Sequence, residues 1–191
     1  MSKQIIESGV EVRKKLQKGI DKLADAVTCT LGPSGRNVIL NNGGQITSTK
    51  DGVSIAKQIS SVEDPIEELG IALVKQAAIK TADNAGDGTT TSTLLAQSII
   101  KQGMVLLNNG VNVTELKSQI QKASQDVIKY LKNEIKEDIS NESQLKQIAT
   151  ISANNDSEVG ELIATAMRKV GTEGVVYIEE SRSGDTYLET V

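Results

Sequence analysis

The chain has 191 residues, 38% hydrophobic and 24% charged but only 2% aromatic, with three Tyr and neither Phe nor Trp, which is a globular composition with a core of Ile, Leu, Val and Ala. A net charge of −4 without any block of basic residues argues against a nucleic-acid partner, and no apolar run approaches membrane-spanning length. With no His and a single Cys, His-based nucleophile pairs, imidazole bases, His-ligated zinc and an internal disulfide are ruled out. Chemistry must therefore rest on carboxylates, Lys, hydroxyls and the backbone. The start, Met1 to Glu7, has neither a signal-peptide apolar region nor transit-peptide character, so the protein is expected to work in the compartment where it is made.

From about Gly9 to Leu31, Val12, Leu16, Ile20, Leu23, Ala24 and Val27 recur at helical spacing, and Gly32-Pro33 stops the helix. Cys29, with no cationic neighbour, is expected to be a buried small apolar residue. Asn37–Leu40 and Ile46–Thr49 flank Asn41-Asn42-Gly43-Gly44 and predict a β-hairpin. Lys50-Asp51-Gly52 is a tight turn before a short helix carrying Val53, Ile55, Ala56 and Ile59. Asp64-Pro65 is a helix N-cap followed by a proline at the first helical position, with Glu67 and Glu68 favouring the dipole. That helix is expected to run to about Ala85 with Ile66, Leu69, Leu73, Val74, Ala77 and Ala78 on its apolar stripe. A second apolar helix carries Leu94, Leu95, Ile99, Ile100 and Leu106 and ends at Asn108-Asn109-Gly110. A third follows, with Leu116, Ile120, Ala123, Val127, Leu131 and Ile135 on one face. Past a boundary near residue 135 come helices near Glu142–Ile151 and Glu158–Val170, separated by an Asn154-Asn155-Asp156 cap. Two β-prone runs, Val175–Glu179 and Thr186–Val191, close the sequence.

The strongest local signal is Gly86-Asp87-Gly88-Thr89-Thr90-Thr91 at the entrance to an apolar helix. Glycines let backbone amides approach an anion, and the unpaired first-turn amides and the helix dipole favour phosphate there. An Asp in such a loop repels phosphate unless a cation sits between them, which suits Asp87 as an Mg²⁺ ligand. Spacing alone favours an ordinary Gly turn with Asp87 or Thr89 as N-cap over phosphate binding and does not decide between them. Thr30–Arg36 is a second Gly-rich segment, but it follows a helix and lacks the Walker A ending. Asp51 could orient an attacking water near a γ-phosphate, or serve simply as a turn Asp. Only a fold that brings the three segments together makes them a site.

Taken together, Thr30–Val38, Lys50–Ala56 and Ala85–Thr91 resemble, in order and spacing, the three nucleotide loops of type I (GroEL-like) chaperonins. Ala24–Val27, Ile151–Asp156 and Lys169–Val175 extend the similarity over essentially the whole chain. The resemblance implies a mainly α fold with small β-hairpins: the N-terminal half of an equatorial, ATP-binding domain over residues 1–135 and the ascending part of an intermediate hinge over 136–191. It implies an ATPase that assists protein folding and refolding in a homo-oligomeric double ring, a tetradecamer of two heptamers, with a co-chaperonin lid and non-native polypeptides as partners. The cytoplasm, or the stroma or matrix of an organelle encoding its own chaperonin, would house it.

By the same resemblance, Asp87 binds Mg²⁺, while Gly32, Gly88, Thr89, Thr90 and Thr91 cradle the phosphates of ATP or ADP. Leu31 and Pro33 line the nucleotide, Thr30, Lys50 and Thr90 lie near K⁺, and Asp51 sits beside the γ-phosphate as the catalytic carboxylate. Ser34 departs from the usual Lys, which bears on a local salt bridge rather than on nucleotide binding. The apical domain, the descending hinge with its Asp and the second equatorial half are expected to be absent. If Val191 is the natural end, helices between Ile66 and Ile135 are expected to expose apolar faces, and the isolated chain is expected to show little turnover. The competing reading is a truncated chaperonin fragment acting as a non-catalytic interaction partner, or one that inserts into rings of full-length subunits and alters their cycling.

Overall fold

A computed structural model of the protein describes residues 7–59, 62–171, 174–179, 181 and 184–189. They divide into two compact units, Met1–Tyr130 and Leu131–Val191. The architecture is mainly α: seven α-helices, a short π-helix and one two-stranded hairpin among the described residues.

The first unit is organised on α1 (Val10–Thr28), whose Ile20, Leu23, Ala24 and Val27 are fully buried. Against it lies α3 (Pro65–Ala85), started by Asp64, whose carboxylate accepts from the Ile66 and Glu67 amides, with Pro65 in the first turn. Ile71, Val74 and Ala78 of α3 complete the core with Ile55 and Ala56 of α2 (Gly52–Gln58). The α1–α3 crossing is close enough for backbone to touch backbone. A Cβ at Gly19 would overlap the Glu67 carbonyl, and one at Gly70 would overlap that of Leu16.

The hairpin forms from β1 (Val38–Asn42) and β2 (Gln45–Thr49), paired so that Asn42 faces Gln45. Gly43 and Gly44 have φ of 61° and 95°, the doubly positive geometry of a two-residue turn that matches strand twist. α4 (Thr89–Asn108) and α5 (Val113–Tyr130) complete the unit, with Asn112 accepting from the Thr114 and Glu115 amides at the start of α5.

Several expectations need correction. Cys29 is exposed, because it follows the last turn of α1 and its thiol turns back to the Ala26 carbonyl at 3.1 Å. Leu69 and Leu73 are more than half exposed: α3 presents the Ile66, Gly70, Ile71, Val74 and Ala78 side to α1 and α2, since the glycine contact sets the rotation of the helix. α5 ends at Tyr130, and Leu131–Ile135 form a π-helix closed by the Lys136 amide on the Leu131 carbonyl. Residues 175–179 and 186–189 form no strand, having no paired neighbour among the described residues; Thr190 and Val191 lie outside those residues. Apolar side chains on α4 and α5, including Leu95, Ile99 and Val127, are exposed.

In the second unit, α6 (Glu142–Ser152) and α7 (Ser157–Val170) are capped by Asn141 and Asp156. Asn154 and Asn155 make the left-handed turn between them, with φ of 58° and 67°. Gly160 of α7 packs directly on Thr150, Ala149, Ala164 and Ala166 are buried, and the pairs Lys146–Glu161 and Arg168–Glu142 bridge the helices.

Electrostatics reinforce the α1–α3 crossing. The buried Glu67 carboxylate receives Lys18 Nζ at 2.7 Å and Lys22 Nζ at 2.6 Å, and these hydrogen bonds, Lys18 first, hold its carboxyl below the ordinary value. A lowered folded-state value stabilises the fold above the unfolded carboxylate value of about 4.3, and that stabilisation is lost as the pH falls through the folded-state value. Urea titrations should show Glu67→Gln less stable than wild type at neutral pH, with the gap closing in acid; a constant gap would contradict the ion-pair account. Gly70→Ala should lower stability by about 1–3 kcal/mol through overpacking. Gly103→Ala, whose Cβ would meet only Leu116 Cδ2 at 3.9 Å, should raise stability by about 0.5–1 kcal/mol.

Candidate functional site

The fold brings the three motif segments of the first unit together. Gly52, the first residue of α2, lies so near the first turn of α4 that a Cβ there would strike the Thr90 hydroxyl. It would also come within 3.1 Å of Thr89 Oγ1 and 3.3 Å of Val27 Cγ1. Val27 carries the segment that starts at Thr30, because its carbonyl accepts from the Thr30 amide at 3.2 Å and the Thr30 hydroxyl at 2.8 Å. The end of α1 and the starts of α2 and α4 thus meet at one place, and both helix N-termini contribute positive dipole ends.

Each helix start is built differently. Asp51 is the N-cap of α2: its Oδ1 accepts from Val53 N at 3.3 Å, and its Oδ2 accepts from Ser54 N at 2.9 Å and from the Ser54 hydroxyl. The Asp51 amide donates to Thr49 Oγ1 at 3.0 Å, which ties the cap to the hairpin. α4 is capped by Gly88, with φ 83°, and no side chain caps it. Neither Asp87 nor Thr89 is therefore the N-cap. Among the described residues Asp87 Oδ1 accepts from the neighbouring Gly88 amide alone, at 2.6 Å, and Asp87 stays exposed. Thr89 is buried, and the fully buried Thr93 donates to the Thr89 carbonyl at 2.8 Å. Thr91 is exposed.

In the first segment, Gly32 takes φ of 74° and the loop closes by Gly35 N to Gly32 O at 3.0 Å and Arg36 N to Cys29 O at 2.9 Å. Pro33 and Ser34 are exposed, and Leu31 is left 44% exposed. Lys50 is exposed beside Asp51.

Gly52 and Ser54 stand out only in the structure. Their sequence signal is faint: an Asp-Gly pair opening a helix, and a hydroxyl residue three positions after the Asp.

Among the described residues no three metal-ligating carboxylates or thiols converge. A divalent cation beside Asp87 would take one carboxylate and fill its shell with water and ligand oxygens, which is the habit of Mg²⁺. A concavity of the unit lies elsewhere. A groove of about 500 Å³ between α1 and α4 is lined by Arg13, Lys14, Asp21, Asp25 and Met104 among others. Most of its charges are already engaged: Gln97 donates to Asp21 and Asp25, Lys14 pairs with Glu11, and Lys18 and Lys22 pair with Glu67. The motif cluster instead presents the first turn of a helix that no side chain caps.

Residues 23–188 match the family model for the TCP-1/cpn60 chaperonin family. The chain belongs to that family. Among solved structures, this chaperonin chain is similar to the chaperonin gp146 from the bacteriophage EL 2 (Pseudomonas aeruginosa), determined in presence of ATP-BeFx. The TM-score is 0.69 and the identity 28%, over 82% of this chain and 27% of that one. The chain therefore spans about a quarter of the length of that protein. The resemblance to type I chaperonins is borne out at the level of family and fold.

Asp51→Ala should lower the stability of the chaperonin chain by about 1 kcal/mol, and Asp51→Asn should lower it less, because Asn keeps one capping oxygen. Urea unfolding checks both, and equal losses in the two variants would contradict the capping role.

Proposed function

We propose that the first unit is the N-terminal half of an equatorial, nucleotide-binding domain and that the second corresponds to an intermediate hinge of an ATP-driven chaperonin. The observation that supports this most is the meeting of the two helix N-termini at Gly52 and Thr90, one start bearing a carboxylate and the other free of any side-chain cap. Amides at an uncapped helix start bind phosphate oxygens well. Gly88, Thr89, Thr90 and Thr91, with Gly32 from the facing segment, supply the phosphate cradle in this reading. Leu31 and Pro33, apolar and exposed, line the nucleotide.

Asp87 fits Mg²⁺ as a single exposed carboxylate next to the cradle. Thr30, Lys50 and Thr90 fit K⁺ through oxygen donors only, Lys50 by its carbonyl, because its ammonium group repels a cation. Asp51 acts beside the γ-phosphate, orienting the attacking water. Nucleotide turnover in a homo-oligomeric ring, with a lid and non-native polypeptides as partners and the cytoplasm or an organelle interior as the place of work, completes the reading. The chaperonin gp146 supports the nucleotide assignment, since its structure was determined in presence of ATP-BeFx.

Titration calorimetry with ADP tests this. Binding should require Mg²⁺ and be lost in Asp87→Ala, while Asp51→Asn should bind as wild type does. Identical weak signals from wild type and Asp87→Ala would overturn the nucleotide assignment and favour a non-catalytic interaction partner.

A further inference from the structure

A carboxylate that orients water must itself be held still, because orientation is what it contributes. Asp51 is held by unequal bonds on its two oxygens. Oδ2 accepts twice from Ser54, through the amide at 2.9 Å and through the hydroxyl, whereas among the described residues Oδ1 accepts from Val53 N alone, at 3.3 Å. A carboxylate oxygen offers about two lone-pair sites, so Oδ2 is saturated and Oδ1 keeps a free one.

We infer that Ser54 is a positioning residue: its hydroxyl and amide together lock Asp51 Oδ2, turning Oδ1 outward as the oxygen that accepts the hydrogen bond from the attacking water. The inference rests on the reading above that Asp51 serves ATP hydrolysis. Ser54 sits in the first turn of α2, half-buried, and donates its hydroxyl to no other group among the described residues. Removing the hydroxyl leaves the Ser54 amide on Oδ2 and the Val53 amide on Oδ1, so the helix cap survives while the carboxylate gains freedom to rotate. A purely structural serine would affect nucleotide affinity and turnover alike, and would act independently of Asp51. A positioning serine affects turnover alone, and only while Asp51 is a carboxylate.

Steady-state ATP turnover and Mg²⁺-ADP affinity are to be measured on the assembled protein for wild type, Ser54→Ala, Ser54→Thr, Asp51→Asn and the Asp51→Asn/Ser54→Ala double variant. Ser54→Ala should lower kcat about tenfold, part of the effect of a positioned base, with KM and ADP affinity unchanged. Ser54→Thr should restore kcat, and Ser54→Ala should cost nothing further on the Asp51→Asn background. Wild-type kcat in Ser54→Ala, no rescue by Thr, parallel changes in kcat and KM, or full additivity in the double variant each overturn the inference while leaving the Asp51 reading intact. Turnover in Asp51→Asn equal to wild type would overturn that reading, and the Ser54 inference with it.

Discussion

Two helices whose backbones touch have almost no freedom to slide or rotate, and that is the relation of α1 to α3 at Gly19 and Gly70. Interiors transmit strain because they are close-packed, so this crossing sets the positions of everything attached to either helix. It places Glu67 beneath Lys18 and Lys22 and Asp64 beside Lys15. It fixes where α1 ends, at Val27 and Thr30, and where α3 hands over to α4 through Gly86. A second close approach, Gly52 against Thr90, then seats α2 on the start of α4. Lys75 secures the far end of α2 by donating to the Lys57 and Ile59 carbonyls at 2.9 and 3.1 Å.

Among the described residues two helix starts lack a side-chain cap, that of α1 at Gly9 and that of α4 at Gly88. Asp51, Asp64, Asn112, Asn141 and Asp156 all turn side-chain oxygens onto the first-turn amides of their helices. Gly88 offers no side-chain oxygen, at a cost of about a few tenths of a kcal/mol relative to a Ser, Asp or Asn cap. Its left-handed backbone leaves the start of α4 open to an external anion, next to the N-terminus of α2. Asp87, adjacent and hydrogen-bonded among the described residues to the Gly88 amide, is the carboxylate that the proposed reading gives to a cation. A site that binds a metal-complexed anion needs this combination of free amides and one spare carboxylate.

Much of this was legible because its causes are local. Asp64-Pro65, Asp51-Gly52 and the Gly43-Gly44 turn declare themselves through backbone preferences that tertiary contacts did not override. The order and spacing of Thr30–Val38, Lys50–Ala56 and Ala85–Thr91 carry the family resemblance by themselves. What escaped was set by contacts distant in sequence. Leu69 and Leu73 fit a helical stripe, but the Gly70–Leu16 contact turned the neighbouring residues inward instead. Cys29 looked like a core residue by composition, yet it falls past the last buried turn of α1. Residues 175–179 have the β-branched and aromatic content of a strand, and a strand exists only when a neighbour pairs with it. Gly52 was invisible as a packing residue because its role depends on an α4 turn nearly forty positions away.

In the proposed reading the three segments converge into one cradle for a metal-complexed nucleotide. This convergence is tested most directly by following backbone amide signals in a two-dimensional NMR titration of the chain with Mg²⁺-ADP. The account predicts that amides of Gly32, Gly52 and Gly88–Thr91 shift together along one saturation curve, and that omitting Mg²⁺ removes the response. Shifts confined to one segment, curves with different midpoints, or a response centred on the α1–α4 groove would contradict it.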